Sequence, residues 1–335
     1  MLAVRKISWG EHAAIAQAHN AQVPIEQTEV WASFQQEIDG REPWLPLVVE
    51  DAERALALVL FIEFTTHGYH YVRSAHGPLW LCDKDEELER ELVLALRDYV
   101  HARPGAQVFM RMAVDNELDV TEPVLSTVPY DATVVIDITG GEDDILSRMK
   151  PRGRRDVRKS VREAPITCAD ETEQAMESFA PYYEVMCETS SRDGFVPAPI
   201  EDYERMIRML GRDHVRVYAG RLEDGTVCTW SLCTLQGNRA TRYYAASLSN
   251  TMRLHVTDRL CFFECCELGK LGYEEYDLMG IGSDFSPSLK GLNEFKTKFC
   301  KQTQRVAPDR DVPVRKGRYA LLCKAKDLKN KLKKD

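Results

Sequence analysis

The apolar positions change period along the chain in an order that occurs twice. Residues 45–49, 55–64 and 69–74 are dense in aliphatic and aromatic side chains and are separated by polar turns at 50–54 and at His67-Gly68, the pattern of three strands. The period then lengthens. Leu88, Leu92, Leu96 and Tyr99 recur at helical spacing and predict a helix over 86–101, with a strand over 107–112 after it. The same order returns about 170 residues later, as expected of an internal repeat. Strands are predicted over 214–221, 226–235 and 239–246, with turns at Glu223-Asp224-Gly225 and Gln236-Gly237-Asn238, then a helix over 257–271 and a strand over 275–279. A duplicated α/β (α+β) unit, mostly antiparallel sheet closed by a helix and one further strand, accounts for both halves. The 335 residues give room for about two such domains.

Between the halves the pattern turns basic. Asp143-Asp144-Ile145-Leu146 opens a helix with acids at its positive end, and Pro151 and Gly153 are expected to interrupt it. From 154 to 162, Val157 and Val161 fall on one helical face and cations surround them. Charge sharpens this reading. A net charge of −9 argues against a protein that coats nucleic acid indiscriminately, yet residues 148–162 carry eight Lys/Arg against one Asp, and 286–335 carry fifteen against five acids. Such asymmetry suggests a localised surface for a polyanion. Arg154, Arg155, Arg158 and Lys159 are the candidates for phosphate contacts, whereas the lysine-rich tail 324–334 reads as solvated.

Ten cysteines are scattered without a Cys-x-x-Cys pair, so free thiols in a reducing compartment are expected and no metal site is. Cys261, Cys265 and Cys266 fall in the apolar 257–271 helix. No apolar run approaches the roughly 20 residues that span a bilayer, and the first 20 residues lack a secretory pattern; a cytoplasmic location without stable membrane insertion is the expectation.

The order of strands, one long helix and a final strand resembles the acetyltransferase-like (GNAT) fold. Ordinary members hold the coenzyme A pyrophosphate on a Gln/Arg-x-x-Gly-x-Gly/Ala loop at the start of the long helix. Here Arg73-Ser74-Ala75-His76-Gly77-Pro78 has the wrong spacing and a proline where a donor is needed, and Ala246-Ser247-Leu248-Ser249-Asn250 has no glycine. The acyl group is therefore expected from another carrier, with no cofactor.

Several segments in order resemble the FemABX family of aminoacyl-tRNA-dependent peptidoglycan interpeptide-bridge ligases: Trp31-Ala32-Ser33-Phe34, Tyr71 to Gly77-Pro78, Lys150 to Arg162, Thr189-Ser190-Ser191-Arg192-Asp193-Gly194-Phe195, Tyr243-Tyr244-Ala245-Ala246-Ser247, and Gly272-Tyr273 to Tyr276-Asp277-Leu278-Met279-Gly280. The most specific is Gly291-Leu292-Asn293-Glu294-Phe295-Lys296-Thr297-Lys298-Phe299, similar to the family's Gly-Leu-x-x-Phe-Lys-x-x-Phe signature. The resemblance implies two tandem GNAT-like domains, one over 1–131 completed by 305–335 and one over 132–304, and because no sustained heptad stretch lies between Ala132 and Gln304, no long coiled-coil arm is expected. It implies aminoacyl-tRNA as donor and a UDP-MurNAc-pentapeptide or lipid-linked peptidoglycan precursor as acceptor.

The implied chemistry is aminolysis of an activated ester, which needs no enzyme nucleophile. The chain offers no Gly-x-Ser-x-Gly elbow, and its eight histidines fall in ordinary positions. Lys296 is the candidate for stabilising the oxyanion, with Phe295 beside it. Arg192 matches the family arginine associated with the precursor diphosphate; a salt bridge to Asp193 or Asp202 is its structural alternative. Tyr243 and Tyr244 are expected on opposite faces of a strand, with Tyr244 towards the substrate. The early tryptophan helix departs from the family in offering Gln35, Gln36 and later Arg41 where a lysine is usual. Two rival readings remain, a divergent coenzyme A-dependent acyltransferase and a non-catalytic module that binds tRNA or cell-wall precursor.

Overall fold

The structure is a computed structural model that describes residues 2–52 and 54–332. The chain forms two compact units, one of residues 1–130 and 306–335 and the other of residues 131–305.

In the first unit the predicted strand over 55–64 is two strands. Arg54–Val59 belongs to a four-stranded sheet with Ala3–Lys6, Leu47–Asp51 and Leu79–Trp80, and Ile62–Thr66 belongs to a five-stranded sheet. The chain changes sheets at Leu60 and Phe61, both without exposure, where ladder bonds are replaced individually. Gln27 Oε1 accepts from Leu60 N–H at 2.7 Å, and Phe61 O accepts from Trp44 N–H at 2.9 Å, so the break leaves neither group orphaned. The helix Glu86–Ala102 is capped by Asp85, whose side chain accepts from Leu88 N–H, and buries Leu92, Val93, Leu96 and Val100. It connects Tyr69–Ser74 to Gln107–Ala113, which pair in parallel, a pairing that requires such a crossover.

The outer strand of the five-stranded sheet is Asp309–Pro313, paired antiparallel with Gln107–Ala113. Arg111 and Asp311 close this pairing as a forked ion pair at 2.6 and 3.0 Å, both side chains without exposure. Leu125 N–H and the Tyr319 hydroxyl also donate to Asp311.

The second unit is one seven-stranded sheet in the order Thr167–Asp170, Val215–Arg221, Val227–Gln236, Arg239–Ser247, Glu275–Gly280, Ala132–Asp137 and Gln304–Arg305. Nine of the ten residues of Val227–Gln236 are buried, as suits a central strand covered on both faces. Helix Val256–Lys270 crosses from Arg239–Ser247 to its parallel neighbour Glu275–Gly280, repeating the topology of the first unit. Both units are thus GNAT-like. Cys261, Cys265 and Cys266 lie in the core along this helix. Ahead of Val215–Arg221 in the chain, helices Ala180–Asp193 and Ile200–His214 pack an aromatic cluster of Phe179, Tyr182 and Tyr203 around Trp230.

The expected interruption falls at Pro151, where helix Glu142–Arg148 has ended and the basic helix Pro151–Glu163 begins, and not at Gly153. Pro151 occupies its first turn, where no hydrogen-bonded N–H is needed, and Gly153 continues the helix. Its buried face is Gly153, Asp156, Val157 and Ser160, while Val161 is 46% exposed. Gly153 is required by proximity, since a Cβ there would stand 2.1 Å from Lys298 O.

Asp311→Ala should leave the Arg111 guanidinium buried without its counter-charge and cost the first unit about 3–5 kcal/mol. Hydrogen exchange should report faster opening of residues 107–113 with unchanged protection of 227–236; unchanged protection at 107–113 would deny the pair this role.

Candidate functional site

Arg239–Ser247 and Glu275–Gly280 pair in parallel at three positions only, Arg239 with Glu275, Ala240 with Tyr276 and Thr241 with Asp277. Beyond Thr241 and Asp277 the two strands separate. Met279, at φ +62°, turns the departing strand, and its register with Ala132–Asp137 is interrupted there. The turn is held by Asp277, which accepts from Met279 N–H at 2.7 Å and from the Thr133 hydroxyl at 2.5 Å.

Separation leaves the carbonyls of Met279 and Gly280 in need of donors, and Lys296 supplies them. Its Nζ donates to Gly280 O at 2.8 Å and to Met279 O at 3.3 Å. Burial, followed by the positive charge of Arg242, lowers the Lys296 pKa to about 8, against a smaller opposing effect of Asp277. Lys296 ends the short helix Asn293–Lys296, which Asn293 clamps to the same strand end by accepting from Gly282 N–H at 2.7 Å and donating to Gly282 O at 2.8 Å. Phe295 packs edge-on against Phe299 at 5.2 Å and carries the Arg242 guanidinium over its face at 5.8 Å.

Beneath these residues lies a polar network with no exposure at its centre. Glu264, in helix Val256–Lys270, accepts from Ser231 and Tyr276 hydroxyls and faces Arg242 Nε at 3.1 Å. Burial is the largest influence on Arg242 and opposes its charge, but Glu264, together with Tyr276, Cys261 and Cys233, raises the pKa above the ordinary arginine value. Burial and then the neighbouring acidic groups raise the Tyr276 pKa, and the Cys233 thiol is pushed up to about 12 chiefly by burial.

Lys298 joins this segment to two helices. Its Nζ stands 2.5 Å from Asp258 Oδ1 and 3.8 Å from Asp156 Oδ2. Asp156, the lone acid of the basic stretch, is therefore turned inward. Asp258 lies in the first turn of helix Val256–Lys270 and also contacts His255 Nδ1 at 3.1 Å. A chain carboxylate thus occupies the positive end of the long helix.

The other candidates are distributed as follows. Arg154 donates to Met149 O at 2.6 Å and Ser147 O at 3.3 Å, so it closes the end of the preceding helix. Arg155 pairs with Asp156 at 3.3 Å, Lys159 lies 3.9 Å from Glu163, and Arg158 is exposed. Arg192 forks onto Asp193 at 2.8 and 3.1 Å, and its remaining nitrogen donates to Ser247 O at 2.9 Å and Ser249 Oγ at 3.2 Å. It ties a helix end to the end of the tyrosine strand. Tyr243 and Tyr244 do not simply alternate: Leu232 pairs with Tyr244 and Cys233 with Arg242, leaving Tyr243 as the extra residue of a bulge. Their rings consequently touch edge to face at 5.2 Å, and Tyr244 also meets Tyr203 at 5.0 Å.

The fold has solved counterparts. FemX aligns over 95% of this chain and 99% of its own, with a TM-score of 0.71 at 16% identity. This chain has a Fem-type fold. The C-terminal domain of a putative lysylphosphatidylglycerol synthetase from Agrobacterium fabrum aligns over 95% of this chain and 97% of its own, with a TM-score of 0.54 at 15% identity. A tandem GNAT protein from the clavulanic acid biosynthesis pathway aligns over 94% and 99%, with a TM-score of 0.56 at 10% identity. No protein-family model and no curated sequence matches the chain. Within the Fem-type fold, Arg242, Glu264, Asn293 and Lys298 escaped the sequence reading. Only Asn293 and Lys298 carried a local signal, their places inside the Gly291–Phe299 motif.

Arg242→Met should strand the Glu264 carboxylate and destabilise the second unit by about 3–5 kcal/mol, whereas Arg242→Met with Glu264→Gln should recover much of that loss. Exchange protection of 227–236 measures both. Equal protection in the single variant and the parent would mean that Glu264 does not need the arginine's charge.

Proposed function

We propose that the chain is an aminoacyltransferase that moves an amino acid from aminoacyl-tRNA to the amine of a peptidoglycan-precursor stem peptide. The observation that carries this reading is the lysine at the separation of two parallel strands. Lys296 is an ammonium in a partly desolvated place, oriented by two carbonyls and set on the Phe-Lys signature of a Fem-type fold. In aminolysis the acceptor amine attacks the ester carbonyl and forms the C–N bond while negative charge gathers on the carbonyl oxygen; the C–O bond to the tRNA ribose then breaks, and the proton lost by the amine ends on the leaving ribose oxygen. A cation held there gains strength as the charge develops. Phe295 fixes the lysine's helix against Arg242, and Tyr244 and Tyr243 offer an aromatic wall for the acceptor. Arg192 would serve the precursor diphosphate by exchanging Asp193 for phosphate oxygens.

Asp258 speaks against the coenzyme A reading, because a pyrophosphate at the long helix's positive end would meet a carboxylate already in place. Acetyl-CoA should accordingly leave the melting temperature unchanged. Retention of the Phe295-Lys296 pair speaks against a non-catalytic module that binds tRNA or cell-wall precursor, and single-turnover transfer separates the two readings.

Lys296→Met should lower the single-turnover rate by about 10²–10³ with both substrates saturating, while binding of each substrate survives. A rate within about threefold of the parent would remove Lys296 from the mechanism. In the parent, the lysine's contribution should be complete below its pKa of about 8 and decline as pH rises through it, because the ammonium is the active form. Lys296→Met should lack that descending limb.

For the basic helix, Arg158→Gln with Lys159→Gln should flatten the log-log salt dependence of transfer by about 0.7–0.9 for each lost phosphate contact. Arg154→Gln should instead lower the melting temperature, as expected of a group donating to Met149 and Ser147 carbonyls. An unchanged slope in the first variant would return this helix to a solvated role.

A further inference from the structure

We propose that helix Lys316–Leu332 is a docking surface for an anionic lipid bilayer. The helix has two apolar faces, and the first unit uses only one. Tyr319 is buried, and Leu322 and Cys323 pack beside it on Val108 and Phe109. The Tyr319 hydroxyl donates to Asp311 Oδ2 at 3.2 Å and to Pro123 O at 3.3 Å, which fixes the helix's rotation. On another face, Leu321 is 66% and Leu328 61% exposed, two turns apart on one line, with exposed Ala325 between them. Lys324 and Lys331 follow Leu321 by three and ten residues and border this stripe on one side; Arg318, three residues before Leu321, borders it on the other. Beside Leu321 the apolar surface continues into an open groove of about 380 Å³ that includes Tyr69, Val108 and Leu322.

Charge selects the occupant. Residues 316–335 carry eight Lys/Arg against two Asp in a chain of net charge −9, so the segment is opposite in sign to the rest of the protein. A polynucleotide would use the cations and gain nothing from leucines in their midst. An anionic bilayer uses both, with the leucines at the headgroup–acyl boundary and the cations among the headgroups. No described helix is long and apolar enough to cross a membrane, so this helix would lie along the surface. The inference stands on the helix alone and does not require the transferase reading.

The test is co-sedimentation of the full chain with vesicles of phosphatidylcholine alone and of phosphatidylcholine containing about one third phosphatidylglycerol. The chain should partition onto the anionic vesicles only, and less so at high salt. Leu321→Asp with Leu328→Asp should lower that partition at least about tenfold, because it removes the apolar contact and adds repulsion. Lys324→Gln with Lys331→Gln should lower it about fivefold per cation removed. Both pairs of side chains point to solvent, so circular dichroism and the melting temperature should match the parent, and transfer activity towards a soluble acceptor should be unaffected. Absence of partition onto anionic vesicles, or equal partition by the leucine variant, would overturn the proposal. So would a tRNA complex lost in the lysine variant without vesicle binding, or a dimer lost in the leucine variant without vesicle binding.

Discussion

A carboxylate without exposure must find its hydrogen bonds and its counter-charge inside the protein, and Glu264 finds them on three different strands. Ser231, Arg242 and Tyr276 come from Val227–Gln236, Arg239–Ser247 and Glu275–Gly280, so one side chain on the crossover helix fixes the mutual positions of the central sheet. Arg242 cannot turn towards solvent without stranding that charge. Its fixed guanidinium in turn covers Phe295 and contributes to the lowered pKa of Lys296. The electrostatics of the candidate site are therefore set from below, by a group that the substrate would not touch.

The two units share a topology but differ in how far their parallel strands stay together. In the first unit the pairing runs to Ser74, the last residue of its strand, and consumes the ladder groups. In the second it ends after three residues, and the freed carbonyls require a donor. A lysine delivered by a later helix meets that requirement. Repetition of a fold thus does not repeat its chemistry, because the chemistry arises where the ladder is interrupted.

Much of the second unit was legible in the chain. The predicted helix over 257–271 and strands over 226–235, 239–246 and 275–279 differ by a residue or so from Val256–Lys270, Val227–Gln236, Arg239–Ser247 and Glu275–Gly280. Long apolar periods bounded by Gly and Asn turns determine such elements locally. The strand over 55–64 was misread as one because its apolar run is continuous through Leu60 and Phe61. Nothing local reveals that Gln27, far away in sequence, takes over the Leu60 N–H. Val161 fits the helical spacing of Val157 equally well, and only the approach of Lys298 O to Gly153 decides which face turns inward.

Sequence by itself determined the duplicated order of elements and the concentration of cations in two segments, which follow from residue type and spacing along a short stretch, and it offered the Phe295-Lys296 pair as a candidate for chemistry through the resemblance of residues 291–299 to a family signature. Tertiary structure decided which charges are free and which are spent. Arg154 closes a helix end, Arg192 forks onto Asp193, Asp156 turns to Lys298, and Tyr243 leaves the strand's alternation through a bulge. It also decided that Leu321 and Leu328 face solvent although Tyr319 on the same helix is buried. The reason is physical: the partner that satisfies a charge or covers an apolar face can lie anywhere along the chain, and sequence spacing carries no information about distances between segments that meet only in the folded state.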